Sequence, residues 1–290
     1  MKHRRILVLN GLRRGGTSIV WNILESHPGI CSPLEETGQL IYPELLTWLP
    51  ELATKLVVRT TLTRSWAPSA LVRHFDDDIQ RVLWERKRSN LEDPDNKYKY
   101  EGEPYLPDEI DEALLCLKSV NLDTFLVDYF ARFYENARFI GLIRNGYAIL
   151  NGAMRRGDSA EKVGRDYRRV GQKMIQDERE RSDYMLLKFE DVLAEPFEAA
   201  ARLFEFAGVA PVRLDKLRLK SKRVLSPDGQ HEVRFGEEDR KYWFGPDQIW
   251  SILDKDVNKT QVDRLSSEDL HTFERHAGPV LDHFGYSIRD

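Results

Sequence analysis

The chain has 290 residues, of which 41% are hydrophobic and 32% charged, and a formal net charge of -4. That length holds one or two domains with a substantial core, and the composition excludes disordered, collagen-like and membrane-embedded classes. The net acidity argues against a broad surface for gripping nucleic acid or another polyanion, so any anion must be held locally.

Residues Arg5 to Leu9 read as a buried parallel strand, because four apolar residues in a row suit a strand covered on both faces. A helix from about Gly16 to Ser26 follows a Gly-rich turn. Leu114 to Leu117 reads as a second strand, and behind it Leu122, Phe125, Leu126, Tyr129, Phe130 and Phe133 fall at helical spacing. Arg138 to Ile143 is a third strand, ending in a turn at Asn145-Gly146 with a helix beyond. Between Ser159 and Arg181, Ala160, Val163, Tyr167, Val170 and Met174 predict a long amphipathic helix.

Tyr184 to Phe189 reads as a fourth strand. Pro196 opens a helix that Gly208 ends, and a capping box at Ser266-Ser267-Glu268-Asp269 starts a last helix that stops at Gly285. Strands alternating with helices predict an α/β protein, three layers deep, with a central parallel sheet and its ligand at the carboxyl ends of the strands. Residues 59–111 break the pattern: they carry charge runs, Trp66, Trp84 and the loop-like DPDNKYKYEGEPYLP. They are read as an insertion or lid over the site within a single domain of residues 1–290.

Cys31 and Cys116 form neither a CxxC pair nor a disulfide framework, which fits a reducing compartment and argues against zinc. The opening MKHRRILVLNG is basic, but its apolar run is far shorter than a signal-peptide core, and no stretch of about 18 apolar residues occurs. A cytoplasmic protein with no transmembrane segment is expected. The basic clusters Arg155, Arg156, Arg165, Arg168, Arg169 and Lys216, Arg218, Lys220, Lys222, Arg223 read as solvated helix faces.

The chemistry concentrates in GLRRGGTS, Gly11 to Ser18. Strand, Gly-rich turn and helix aim backbone N–H groups and a helix N-terminus at an anion. The spacing matches GxxxxGK[ST], except that Thr17 stands where the lysine of an ATP-binding loop belongs. An ordinary ATP kinase loses its main electrostatic element there, while Arg13 or Arg14 could still neutralise a shorter phosphate chain. Glu35 and Glu36, just after Pro33-Leu34, fit either a catalytic carboxylate or the acidic first turn of a helix. His27, beside Pro28, reads as structural.

Four segments carry a resemblance. RRGGTSIVWNILESHP resembles the 5′-phosphosulfate loop of the sulfotransferases that use 3′-phosphoadenosine 5′-phosphosulfate (PAPS), usually RSGTT, a helix and His-Pro. ARFIGLIRNGYAILNGAMRRG is similar to that family's 3′-phosphate segment, LLKFEDVLAEP to its tyrosine-glutamate-aspartate stretch, and SSEDLHTFERHAGPVLDHFGY to its C-terminal helix. The resemblance implies a P-loop NTPase-like sulfotransferase fold and an enzyme moving a sulfuryl group from PAPS to a hydroxyl-bearing acceptor, without a metal, leaving adenosine 3′,5′-bisphosphate.

By that resemblance Arg13, Arg14, Gly15, Gly16, Thr17 and Ser18 cradle the 5′-phosphosulfate, and Arg144 takes the 3′-phosphate. The family's partner hydroxyl falls at Gly152, so Asn151 stands in as the donor. Phe189 occupies the place of a tyrosine that approaches the adenine. Lys118 resembles a lysine near the bridging oxygen and, with Arg14, is expected to stabilise charge there. The histidine base of small-molecule sulfotransferases is replaced by Val120. Glu35 and Glu36 resemble the glutamate pair of tyrosylprotein sulfotransferases, a pattern that favours Glu35 as the base. The run Asn258-Lys259-Thr260-Gln261 is a candidate to close over the donor. The competing readings are a P-loop nucleotide or small-molecule kinase, and a non-catalytic module that binds a bisphosphate nucleotide. The acceptor stays open among carbohydrate, lipid, tyrosine and small natural product.

Overall fold

The computed structural model describes residues 5–45, 50–64, 69–92, 99, 102–210, 214–221, 223–225, 231–233, 235–237, 240–258 and 265–288. Its centre is a parallel sheet of five strands in the order β2 (Ile30–Cys31), β3 (Leu114–Val120), β1 (Ile6–Gly11), β4 (Arg138–Ile143) and β5 (Tyr184–Lys188). Successive strand residues point to opposite faces, and both faces are apolar here. Ile6, Val8, Leu115, Leu117, Phe139 and Ile143 join one buried cluster, whereas Leu7, Leu9, Leu114, Cys116, Ile140 and Leu142 join the other.

The first cluster is covered by α2 (Thr37–Ile41), α3 (Glu51–Thr63), α4 (Ser69–Glu92), α6 (Val127–Phe133), α7 (Gly146–Met154), α8 (Ala160–Glu180) and the last helix, α11 (Ser267–Phe284). The second is covered by α1 (Thr17–Glu25), α9 (Phe189–Ala194), α10 (Pro196–Ala207) and an antiparallel pair, β6 (Leu217–Lys220) with β9 (Lys241–Phe244). A second short pair joins β7 (Arg223–Leu225) to β8 (His231–Val233). The result is the expected three-layer α/β/α architecture.

The caps follow the sequence signals. Asn145 starts α7, its Oδ1 accepting from the Tyr147 N–H at 2.9 Å. Ser159 and Ser266 accept from Lys162 and Asp269 N–H groups at 3.3 and 3.1 Å, and Gly208 and Gly285 end their helices with left-handed φ of 64° and 70°. His27 is buried and held by backbone groups. Its Nδ1 accepts from the Gly29 N–H and its Nε2 donates to the Ala210 carbonyl, both at 2.9 Å.

The structure adds to the sequence reading in three places. Residues 69–92 form a 24-residue helix, α4, and its Val72, Phe75, Ile79, Val82 and Leu83 are core residues. The segment between Arg59 and Asp111 is therefore largely helix packed into the domain, finished by α5 (Pro107–Glu112); Trp66 and residues 93–98 and 100–101 lie outside the described residues. The second basic cluster is not a helix face, because Leu217–Lys220 is a strand and Arg218 is 5% exposed. The strand β2 went unforeseen, since two residues have no readable period. Among the described residues no helix is long and apolar enough to cross a membrane.

Candidate active site

β1, β3 and β4 end side by side, and the site is built on the turns that leave them. After Leu12 the chain turns back on itself, the Gly15 N–H donating to the Leu12 carbonyl at 2.9 Å. Arg14 and Gly16 have left-handed φ of 69° and 85°. Gly16 is required there twice over, since a Cβ would also lie 2.2 Å from the Phe189 ring. Gly11 is equally constrained, because Thr17 Cγ2 would lie 2.3 Å from a Cβ on it. The first turn of α1 holds no acidic residue. Its N-terminus therefore keeps a positive field facing out of the sheet. Asn121, with φ of 53°, fixes the turn by accepting from the Arg13 N–H at 3.0 Å.

Lys118 stands at the end of β3 and is 6% exposed. Its Nζ lies 3.3 Å from Ser18 Oγ, 3.2 Å from Glu36 Oε1 and 4.4 Å from the centre of the Trp21 ring. Trp21 is itself held by its indole N–H donating to the Cys116 carbonyl at 3.1 Å. Burial pushes the Lys118 ammonium below its ordinary range; Glu36 opposes this, and the charges of Lys220 and Arg13 add to it. Glu36 is the residue before α2, and its own N–H donates to Gln39 Oε1 at 3.2 Å. Below it, Ser119 donates to Thr37 Oγ1 at 3.0 Å. Capping and an ion pair to Lys118 thus meet in one glutamate. Glu35 instead reaches Arg86 of α4, at 3.4 Å.

Arg144, at the exit of β4, is 7% exposed. Its NH1 donates to the Arg14 carbonyl at 2.7 Å and its Nε to Asn258 Oδ1 at 2.9 Å. Tyr167 OH donates to the Arg144 carbonyl at 3.0 Å. Burial lowers the guanidinium to about 10, against the pull of Glu190, and the charge is kept at neutral pH. Phe189 lies beneath, 2% exposed, with its ring 5.1 Å from the guanidinium. The same ring abuts Gly16. At Gly152 a Cβ would lie 3.2 Å from Arg14 Cγ, so the Arg14 side chain runs close over this position. Asn151 is buried beside it in α7.

Arg14, Gly15, Gly16, Thr17, Ser18, Lys118 and Glu36 are brought together in this way; Arg144 and Gly152 adjoin them through Arg14, and Phe189 through Gly16 and Arg144. Glu35 is turned toward α4. Sequence reasoning did not assign roles to Asn121, Trp21, Arg86 or Glu190; the FED stretch was the one sign of Glu190. Asn258 belongs to the run expected to close over the donor, and Lys259, Thr260 and Gln261 of that run lie outside the described residues. Among the described residues no group of three or more His, Cys, Asp or Glu side chains has the arrangement of a metal site.

Fold and site together define an α/β protein with a helix N-terminus and the cations Arg14, Lys118 and Arg144 gathered at the carboxyl ends of its central strands. The family model described as "Sulfotransferase family" matches residues 7–212. The chain belongs to the sulfotransferase family. The sulfotransferase domain from the curacin biosynthetic pathway superposes over 99% of this chain and 99% of its own, with a TM-score of 0.54 and 12% identity, a likeness of fold. The sulfotransferase domain of the Synechococcus PCC 7002 olefin synthase aligns over 73% of this chain and 76% of its own at 18% identity, with a TM-score of 0.45. A sulfotransferase from Alicyclobacillus acidocaldarius aligns over 95% and 96% at 14% identity, with a TM-score of 0.42. No curated protein matches the chain in sequence.

Proposed function

We propose that this sulfotransferase moves a sulfuryl group from PAPS to a hydroxyl by in-line displacement. The acceptor oxygen forms a bond to sulfur, the bond from sulfur to the 5′-phosphate oxygen breaks, and the hydroxyl proton passes to a carboxylate. The products are the sulfate ester and adenosine 3′,5′-bisphosphate. The carrying observation is Lys118, buried, within reach of both Ser18 and Glu36. Sulfuryl transfer, like phosphoryl transfer, depends on positioning and on stabilising charge that builds on the leaving oxygen. An ammonium buried beside the anion-facing turn is suited to that task, and Arg14 adds a second cation.

Glu36 serves as the base. Its carboxylate is a quarter exposed and lies 3.2 Å from Lys118, which supports this, because an acceptor hydroxyl entering the site can reach it. Glu35, paired with Arg86, ties α4 to the mouth of the site. Helix α4 of the Arg59 to Asp111 region would then line the acceptor side, as it stands next to α2. Arg144 takes the 3′-phosphate with Asn151 nearby, and the backbone N–H groups from Gly15 to Ser18 take the 5′-phosphosulfate.

Incubation with PAPS and a panel of carbohydrate, lipid, phenolic and small natural-product hydroxyls tests the assignment. Acceptor-dependent release of adenosine 3′,5′-bisphosphate, lost in Lys118→Ala, is the expected result. Release that persists unchanged in Lys118→Ala contradicts the role given to that lysine.

A further inference from the structure

Behind Arg144 four separate segments meet at one carboxylate. Glu190 Oε1 accepts from the Asn145 N–H at 3.0 Å and from Asn258 Nδ2 at 2.6 Å, and Oε2 accepts from Tyr286 OH at 2.8 Å. Asn258, 4% exposed, passes the restraint on, since its Oδ1 accepts from Arg144 Nε. The chain end beyond α11 is pinned at the same place. Lys188 Nζ donates to the Phe284 carbonyl at 2.7 Å and lies 5.2 Å from the Tyr286 ring, while Asn145 Nδ2 donates to the Ser287 carbonyl at 3.3 Å.

We infer that Glu190 is a positioning residue for the 3′-phosphate arginine, and that through Tyr286 the C-terminal tail forms the back wall of the donor site. The inference rests on Arg144 receiving the 3′-phosphate. Its physical basis is that a guanidinium binds phosphate through a fixed planar fork, so orientation as well as charge sets its affinity. Burial lowers the Arg144 guanidinium to about 10, with Glu190 and Tyr286 opposing the fall. A carboxylate near an anion site is electrostatically unfavourable for the anion. Its use there is geometric: it holds Asn258, and Asn258 aims the guanidinium. Burial and the Glu190 carboxylate also push the Tyr286 phenol up, so that hydroxyl remains a donor at all ordinary pH.

The test is binding of adenosine 3′,5′-bisphosphate and adenosine 5′-monophosphate, which differ only in the 3′-phosphate, to the wild-type chain, Glu190→Gln, Tyr286→Phe, Arg144→Ala and the Glu190→Gln/Arg144→Ala double variant. Melting temperatures are recorded alongside. Glu190→Gln is expected to lower the preference for the bisphosphate about tenfold, the size of one lost charge-assisted hydrogen bond, with binding of the monophosphate little changed. Tyr286→Phe, which keeps the ring, should lower the preference by about threefold, and it carries the test if Glu190→Gln does not fold. In the double variant the Glu190 change should have no further effect on the preference.

In turnover, the Glu190→Gln donor KM should rise while kcat holds, since Lys118 and Glu36 are untouched. An unchanged preference in folded Glu190→Gln, or an equal loss of both nucleotides, would overturn the positioning role and leave the donor reading intact. A wild-type chain with no preference for the bisphosphate would instead overturn the donor reading, and this inference with it.

Discussion

At the Arg144 end of the site the arginine is 7% exposed, and the carboxylate behind it bonds to three segments. At the Lys118 end the ammonium is buried too, but its partner Glu36 has a quarter of its side chain exposed, and the neighbouring Glu35 pairs across an open surface with Arg86. The first end is a rigid fixture whose polar groups are tied to backbone and to each other. The second is a set of ion pairs on the rim of α2 and α4, which an incoming molecule can exchange without unmaking the fold. A site for an invariant nucleotide beside a site for a changeable acceptor would be divided in this way.

Substitutions should separate the two ends. The largest expected effect is at Glu36: Glu36→Gln should lower kcat by about 10²- to 10⁴-fold, the range of a lost general base, with bisphosphate binding near the wild-type value. Lys118→Ala should lower kcat by about 10²- to 10³-fold, comparable to losing one preorganised donor to a developing charge; titration should again find the bisphosphate bound. At the other end, Arg144→Ala should weaken the bisphosphate by about 10- to 100-fold, the worth of its charge-assisted hydrogen bonds. The donor KM should report the loss and kcat should not. Smallest is the rim pair: Glu35→Gln and Arg86→Ala should each change kcat by about threefold or less, as exposed ion pairs are weak, and act on the acceptor KM. A fall in Glu35→Gln as large as that expected for Glu36→Gln would exchange the roles of the two glutamates.

The same contrast explains what could be read in advance. The turn from Gly11 to Ser18 was legible because a backbone that must adopt left-handed φ and approach a ring closely leaves glycines at fixed spacing. Lys118 and Arg144 were legible as cations at strand ends, once the strands were placed and a family resemblance gave them roles. Glu190, Asn258 and Tyr286 form one network across 68 to 96 positions of chain. No local period or spacing encodes such a contact. The helix α4 was hidden differently: Val72, Phe75, Ile79, Val82 and Leu83 do recur at helical intervals, but the charged residues between them made the segment read as a surface insertion. Gly152 looked like a departure from a pattern, and nothing in the sequence showed that the Arg14 side chain runs close over it.

The central claim is that the site at the strand ends holds a 3′-phosphorylated adenosine nucleotide. Titration calorimetry of the wild-type chain with adenosine 3′,5′-bisphosphate and with ADP, without added metal, tests it most directly. The account predicts clear preference for the bisphosphate, abolished in Arg144→Ala. Equal or tighter binding of ADP, or binding of neither, would contradict it.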